Sequence, residues 1–144
     1  MIKIFIDTNI WLRYLAADDQ VKYTFCQKLI GLNEEGKIRV YTSAIVLLEL
    51  AYTLRTFYKA KHERIVKEIE GILSGRNLTL IEKTDLLEAL KIFKKFNLKL
   101  ADALIAKQII KGMILCTYDH DFKRIKGLDS LTPEEILDKI KANE

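Results

Sequence analysis

The chain has 144 residues, 49% apolar and 31% charged, a globular composition that suits one compact domain over residues 1–144 burying roughly 70% of the surface its unfolded form exposes. No apolar run approaches the ~18 residues of a membrane span and no basic leader precedes an apolar core, so no membrane anchorage is expected and the protein reads as soluble and cytoplasmic. A net charge of +4 is a mild basicity that a polyanionic partner would need but that many proteins share, and a single Pro with six Gly leaves little room for an all-β fold of tight turns.

Ile2, Ile4, Phe5 and Ile6 form an apolar, β-branched and aromatic run that Asp7-Thr8-Asn9 ends with polar residues, predicting a buried strand with a carboxylate at its C-terminal end. Ligands of open α/β sheets bind at that end, so Asp7 has two readings, a helix cap and a functional acid. Ile10 to Ala17 reads as a short helix. A second helix starts at Asp18-Asp19, carries Val21, Phe25, Leu29 and Leu32 at helical spacing, and ends near Gly36. Ile38 to Thr42 alternates as a second strand, and Ser43 caps a helix running from Ala44 to about Tyr58. Lys59 to Ser74 is an amphipathic helix closed by Gly75.

Leu78 to Ile81 is a third short strand, and Thr84 is placed to cap a helix bearing Leu86, Leu87, Leu90 and Phe93. Ala101 to Lys111 reads as the next helix, stopped by Gly112. Met113 to Cys116 is wholly apolar, as a central strand buried on both faces would be. Leu128 to Leu131 is expected as a fifth, edge strand, and Thr132-Pro133-Glu134-Glu135 as the capping box of a final helix. Strands alternating with helices predict an α/β fold with a mostly parallel sheet of four to five strands. Cys26 and Cys116 form no CxxC pair and read as small buried hydrophobes.

Two acids stand out by their surroundings. Glu49 is the only charge between Ser43 and Leu54, and Asp102 the only one between Leu100 and Ala106. A lone carboxylate on an apolar helix face is costly unless a cation compensates it or its pKa rises, although each could simply face solvent. Asp7 after the first strand, Glu49 after the second, Asp102 before the fourth, and Asp119 and Asp121 after it can converge if the first and fourth strands are neighbours. Four or five oxygen donors without a Cys or His cluster suit a hard cation, Mg²⁺ or Mn²⁺ rather than Zn²⁺, and His120 reads as a bystander. Setting these five acids aside leaves 15 against 24 Lys and Arg, a basic body of net +9 around an acidic pocket.

Ile6-Asp7-Thr8-Asn9, Leu48-Glu49-Leu50, Leu100-Ala101-Asp102-Ala103-Leu104-Ile105-Ala106 and Thr117-Tyr118-Asp119-His120-Asp121-Phe122 resemble the four acidic motifs of PIN-domain ribonucleases, and among them those of the VapC toxins of VapBC toxin–antitoxin pairs. The resemblance spans nearly the whole chain, including Ile125-Lys126-Gly127-Leu128. It implies a three-layer α/β/α sandwich and Mg²⁺- or Mn²⁺-dependent hydrolysis of single-stranded RNA. It assigns metal binding to Asp7, Asp102 and Asp119, with Asp121 as the alternative in the last loop, and gives Glu49 to the metal or its water. Thr8, Asn9, Ser43 and Thr117 fall at the family's polar supports. It further implies a small VapB-like antitoxin and a homodimer, for which Trp11, Tyr14 and Tyr58 are candidate contacts.

Arg13, Lys123 and Arg124 are the candidate grips on the RNA backbone. A phosphotransferase using Asp7 as nucleophile would want a second Asp where Asn9 stands, and a receiver domain would want adjacent acids earlier in the chain. An RNA-processing nuclease without an antitoxin, and a PIN-like module that binds without cutting, remain as alternatives; the second would be expected to lack some of the acids.

Overall fold

A computed structural model describes residues 1–144. In chain order the elements are β1 (Ile2–Ile6), α1 (Thr8–Ala16), α2 (Gln20–Glu34), β2 (Ile38–Ser43), α3 (Ala44–Thr56), α4 (His62–Leu73), β3 (Leu78–Ile81), α5 (Leu86–Lys95), α6 (Leu100–Gln108), β4 (Met113–Cys116), a 3₁₀ turn (His120–Arg124), β5 (Ser130–Leu131) and α7 (Pro133–Ala142). The five strands make one all-parallel sheet in the order β3-β2-β1-β4-β5, flanked by the helices in a three-layer α/β/α sandwich. Ile4, Phe5 and Ile6 of β1 and Leu115 and Cys116 of β4 are fully buried, as strands covered on both faces must be.

The order of the sheet locates the site. From β1 the chain moves outward through β2 to β3, then returns to β4 on the other side of β1 and steps on to β5. The direction of winding therefore reverses between β1 and β4, and the crevice at their carboxyl ends is where such sheets bind ligands. Ile6 pairs with Cys116, and the Asp7 N–H donates to the Cys116 carbonyl at 3.1 Å, so the ladder delivers Asp7 and Thr117 side by side.

Several boundaries differ from the sequence expectation, each for a local reason. Helix α1 begins at Thr8 because Asp7 itself is the cap, and it ends where Ala17 turns left-handed at φ 50°. Lys59 is also left-handed, at φ 55°, which delays α4 to His62. Asp85, not Thr84, caps α5 by accepting from the Glu88 N–H at 3.2 Å, while Thr84 receives the Gln108 amide at 2.6 Å. That bond is formed at the last helical residue of α6, which stops at Gln108 rather than Lys111 so that the chain can extend into β4. No helix is long and apolar enough to cross a membrane.

Candidate functional site

Asp7 is 5% exposed and held on both oxygens. Oδ1 accepts the Thr8 N–H at 2.7 Å, closing the helix cap, and Oδ2 accepts the Thr117 hydroxyl at 2.8 Å and the Asn9 amide at 3.3 Å. The Asn9 amide also reaches the Thr117 Oγ1 at 3.1 Å, and the Asn9 Oδ1 accepts the Tyr118 N–H at 3.0 Å. The Asp119 N–H in turn donates to Thr117 Oγ1 at 3.0 Å. Asn9 and Thr117 thus lock the loop after β4 onto the end of β1, fixing Asp119 relative to Asp7.

Two helices supply the remaining acids. Ser43 starts α3 as its N-cap, with Oγ accepting the Val46 N–H at 3.4 Å, and Glu49 follows in the second turn, where the Thr8 hydroxyl donates to its Oε1 at 3.4 Å. Ser43 therefore supports the site only by starting the helix that carries Glu49. Asp102 lies in the first turn of α6, whose capping position is Lys99 with no side-chain cap bond, so free N–H groups and the positive helix end face the same region.

The electrostatics show that these acids share one neighbourhood. Burial, then the charges of Asp119 and Asp7, push the Asp102 carboxyl up to about 6. Burial is likewise the main cause for Glu49, followed by the charges of Asp7 and Asp102. For Asp7, burial outweighs the bonds from Thr117, Thr8 and Asn9, and Asp119 adds to the upward shift. Lys99 is the cation that pulls Glu49 and Asp102 the other way. Asp119 acts on both Asp7 and Asp102, whereas Asp121 contributes least to Asp102, is exposed, and pairs with Arg124 at 3.4 Å. Asp119 caps the 3₁₀ turn, its Oδ1 accepting the Asp121 N–H at 2.9 Å, and of the two it is the one whose charge acts on Asp7 as well as Asp102.

A concentration of carboxylates answered by one lysine has the oxygen-donor chemistry that a hard divalent cation would compensate. No three acidic, His or Cys side chains are drawn into a closed ligand set. Cys26 and Cys116 are buried free thiols, and burial pushes Cys26 up to about 11, which leaves it protonated and no ligand.

The sequence profile of the PIN domain matches residues 4–128. The chain belongs to the PIN-domain family. This PIN domain is 26% identical over 132 residues to a VapC ribonuclease of Aquifex aeolicus, covering 90% of this chain and 96% of that protein. It is 28% identical over 141 residues to ribonuclease VapC2 of Methanocaldococcus jannaschii, covering 88% and 91%. Its fold superposes on a chain of VapBC2 from Rickettsia felis bound to a DNA fragment from their promoter, with a TM-score of 0.66 at 22% identity over 91% of this chain and 98% of that one.

The basic residues expected to grip a substrate each make a contact within the fold, and the ion pairs among them are solvent-exposed. Arg13 pairs with Asp18 at 2.9 Å, the Lys123 ammonium donates to the Ser130 carbonyl, and Arg124 bonds the Asn97 carbonyl at 3.2 Å besides Asp121. The expected dimer contacts are also used internally: Trp11 is 3% exposed and donates to Thr42 Oγ1 at 3.2 Å, Tyr14 stacks on Tyr23, and the Tyr58 hydroxyl donates to Asp18 at 2.9 Å. Sequence reasoning passed over Lys99 and Tyr118. The position of Lys99 three residues before Asp102 was the available signal. Tyr118 offered none, since its partners Asn9, Lys22 and Glu134 come from three distant segments.

Proposed function

We propose that this PIN domain is a Mg²⁺- or Mn²⁺-dependent endoribonuclease that hydrolyses phosphodiester bonds of single-stranded RNA, and the toxin of a type II toxin–antitoxin pair acting in the cytoplasm. The observation that carries this reading is the hydrogen-bonded arrangement at the carboxyl ends of β1 and β4, where Thr117 bonds both Asp7 and the Asp119 N–H, Thr8 bonds Glu49, and Asp102 lies close enough for the charges of Asp7 and Asp119 to act on it. The VapC ribonucleases among its relatives support the substrate class, and the VapBC assembly among similar folds supports a VapB-like antitoxin. All four acidic positions are filled in the sequence, which favours cutting over passive binding.

Asp7, Asp102 and Asp119 would hold the cation, with Asp121 at the rim. When bound, the cation supplies an activated water and neutralises charge on the phosphate oxygens. Glu49, with its carboxyl raised by burial and its neighbours, orients the attacking water and accepts its proton. Thr8 holds Glu49 in place; Asn9 and Thr117 keep the last loop against Asp7. The antitoxin masks the site with a short helical segment or a basic side chain. A homodimer belongs to the same reading.

The test is cleavage of single-stranded RNA by the wild type, Asp7→Asn and Asp102→Asn in Mg²⁺, Mn²⁺ and EDTA. Both variants should lose at least about a hundredfold in kcat/KM and the chelator should stop the wild type. Equal rates for the three proteins, or cleavage that survives EDTA, would reject the mechanism. Glu88→Gln, on the surface of α5 and paired only with Lys91, should cut at the wild-type rate.

A further inference from the structure

Beside the acids, between α3 and the start of α6, lies an open cavity of about 540 Å³ lined by Leu48, Glu49, Tyr52, Thr53 and Lys99. Four of these residues fall at helical spacing on α3, so that Tyr52 sits about one turn, or ~5 Å, beyond Glu49 on the same face. Tyr52 is 67% exposed and its ring packs on no other aromatic ring. Lys99 is exposed and takes part in none of the ion pairs of the fold.

A phosphate chain must pass a cluster of carboxylates to be cut, and that approach needs a free cation close by. Arg13, Lys123 and Arg124 contact Asp18, Ser130, Asn97 and Asp121. Lys99 has no such contact, and its charge acts on both Glu49 and Asp102. An unstacked aromatic ring beside a lysine is the arrangement by which single-stranded nucleic acid is held without reading a particular base.

We propose that this cleft is a substrate subsite, in which a base next to the scissile phosphate stacks on Tyr52 and the adjoining phosphate is held by Lys99. The proposal rests on the RNA-hydrolysing reading above. A second copy of the chain is the weaker occupant, because interface cores are depleted in Lys and Glu and this cleft places both beside the ring. Stacking on Tyr52 tolerates any base, so the subsite confers affinity and register more than sequence choice.

The experiment measures binding of a fluorescent single-stranded oligoribonucleotide in Mg²⁺, in the Asp7→Asn background that should not cut, together with sedimentation of each variant. Tyr52→Ala and Tyr52→Leu should each weaken binding about 5- to 150-fold and Tyr52→Phe should stay within about twofold, with the mass unchanged throughout. Lys99→Ala should weaken binding alike for all sequences and lower the slope of log affinity against log salt by about 0.7. Phe57→Ala, an exposed ring outside the cleft, is the control and should bind as the parent does.

Tyr52→Ala binding as tightly as its parent would overturn the subsite while leaving the nuclease reading intact. A shift of Tyr52→Ala to a smaller mass, with Tyr52→Leu retaining both mass and affinity, would overturn it in favour of a second copy. Failure of this parent to bind single-stranded RNA, together with failure of the wild type to cut it, would overturn both.

Discussion

At the scale of single residues, Asp7 is the α1 cap expected of it. One oxygen closes that cap and the other takes bonds from Thr117 and Asn9, so the capping role is compatible with the role proposed for it in the cation site. Glu49 and Asp102 stand alone among apolar residues in the sequence, yet both are half-buried and Leu48, Tyr52 and Leu100 beside them are exposed, so the pattern marks a helix face at the edge of the core rather than an enclosed charge. The partners of Arg13, Lys123 and Arg124 were not legible, since long cations find acids and carbonyls that only the folded chain brings near.

Asp102 also carries a pH prediction. Its folded pKa, about 6, lies above the ordinary 3.8, so the folded state binds the proton more tightly than the unfolded one. The favourable contribution of the protonated carboxyl is complete below about pH 4 and is lost as the pH climbs through about 6. Asp102→Asn should therefore gain on the metal-free wild type across that window, by about 1 kcal/mol once water screening of the exposed half of the group is allowed for. Denaturant melts of both proteins at pH 4, 5, 6 and 7 measure it; a constant difference across the series would show that Asp102 ionises freely. Mg²⁺ should narrow the gap at pH 7 by binding the ionised wild type.

At the scale of elements, the strands β1 and β4 were legible from their unbroken apolar runs, while the ends of α5 and α6 were not. Thr84 is an acceptable cap by type, but the Gln108 amide claims its hydroxyl and Asp85 takes the role. Helix α7, which lies beyond the residues matched by the PIN-domain profile, is tied to the site by the Tyr118 hydroxyl, which donates to Glu134 at 3.0 and 3.1 Å. Lys22 of α2 lies 4.5 Å from the centroid of the same ring. Tyr118 is thereby held from α2, α7 and Asn9 at once, and it sits next to Asp119. Glu134→Ala should cost about 1–2 kcal/mol of stability and raise the Mn²⁺ concentration needed for half-maximal cleavage, with Glu134→Gln restoring most of the metal response. Loss of stability with an unchanged Mn²⁺ requirement would confine α7 to a packing role.

At the scale of the whole molecule, the parallel sheet and its alternating helices could be read from periodicity, but the order β3-β2-β1-β4-β5 could not, because strand neighbours are chosen by long-range packing. That order puts the reversal of winding between β1 and β4 and so gathers acids separated by as many as 112 residues, Asp7 and Asp119, at one crevice. Phe5, fully buried on β1 between β2 and β4, supports that alignment. Phe5→Ala should remove about 3–5 kcal/mol from a total of roughly 5–15, read as a lower urea midpoint. An unchanged midpoint would place the stability of the sheet elsewhere.

The gathering of these acids into a single cation site is tested most directly by titrating Mn²⁺ into the RNA-free protein and following free Mn²⁺ by electron paramagnetic resonance. The wild type and Glu88→Gln should bind Mn²⁺ saturably and alike, and Asp7→Asn, Asp102→Asn and Asp119→Asn should each weaken that binding at least about tenfold. Equal Mn²⁺ affinity in all five proteins, or a wild type that binds none, would contradict it.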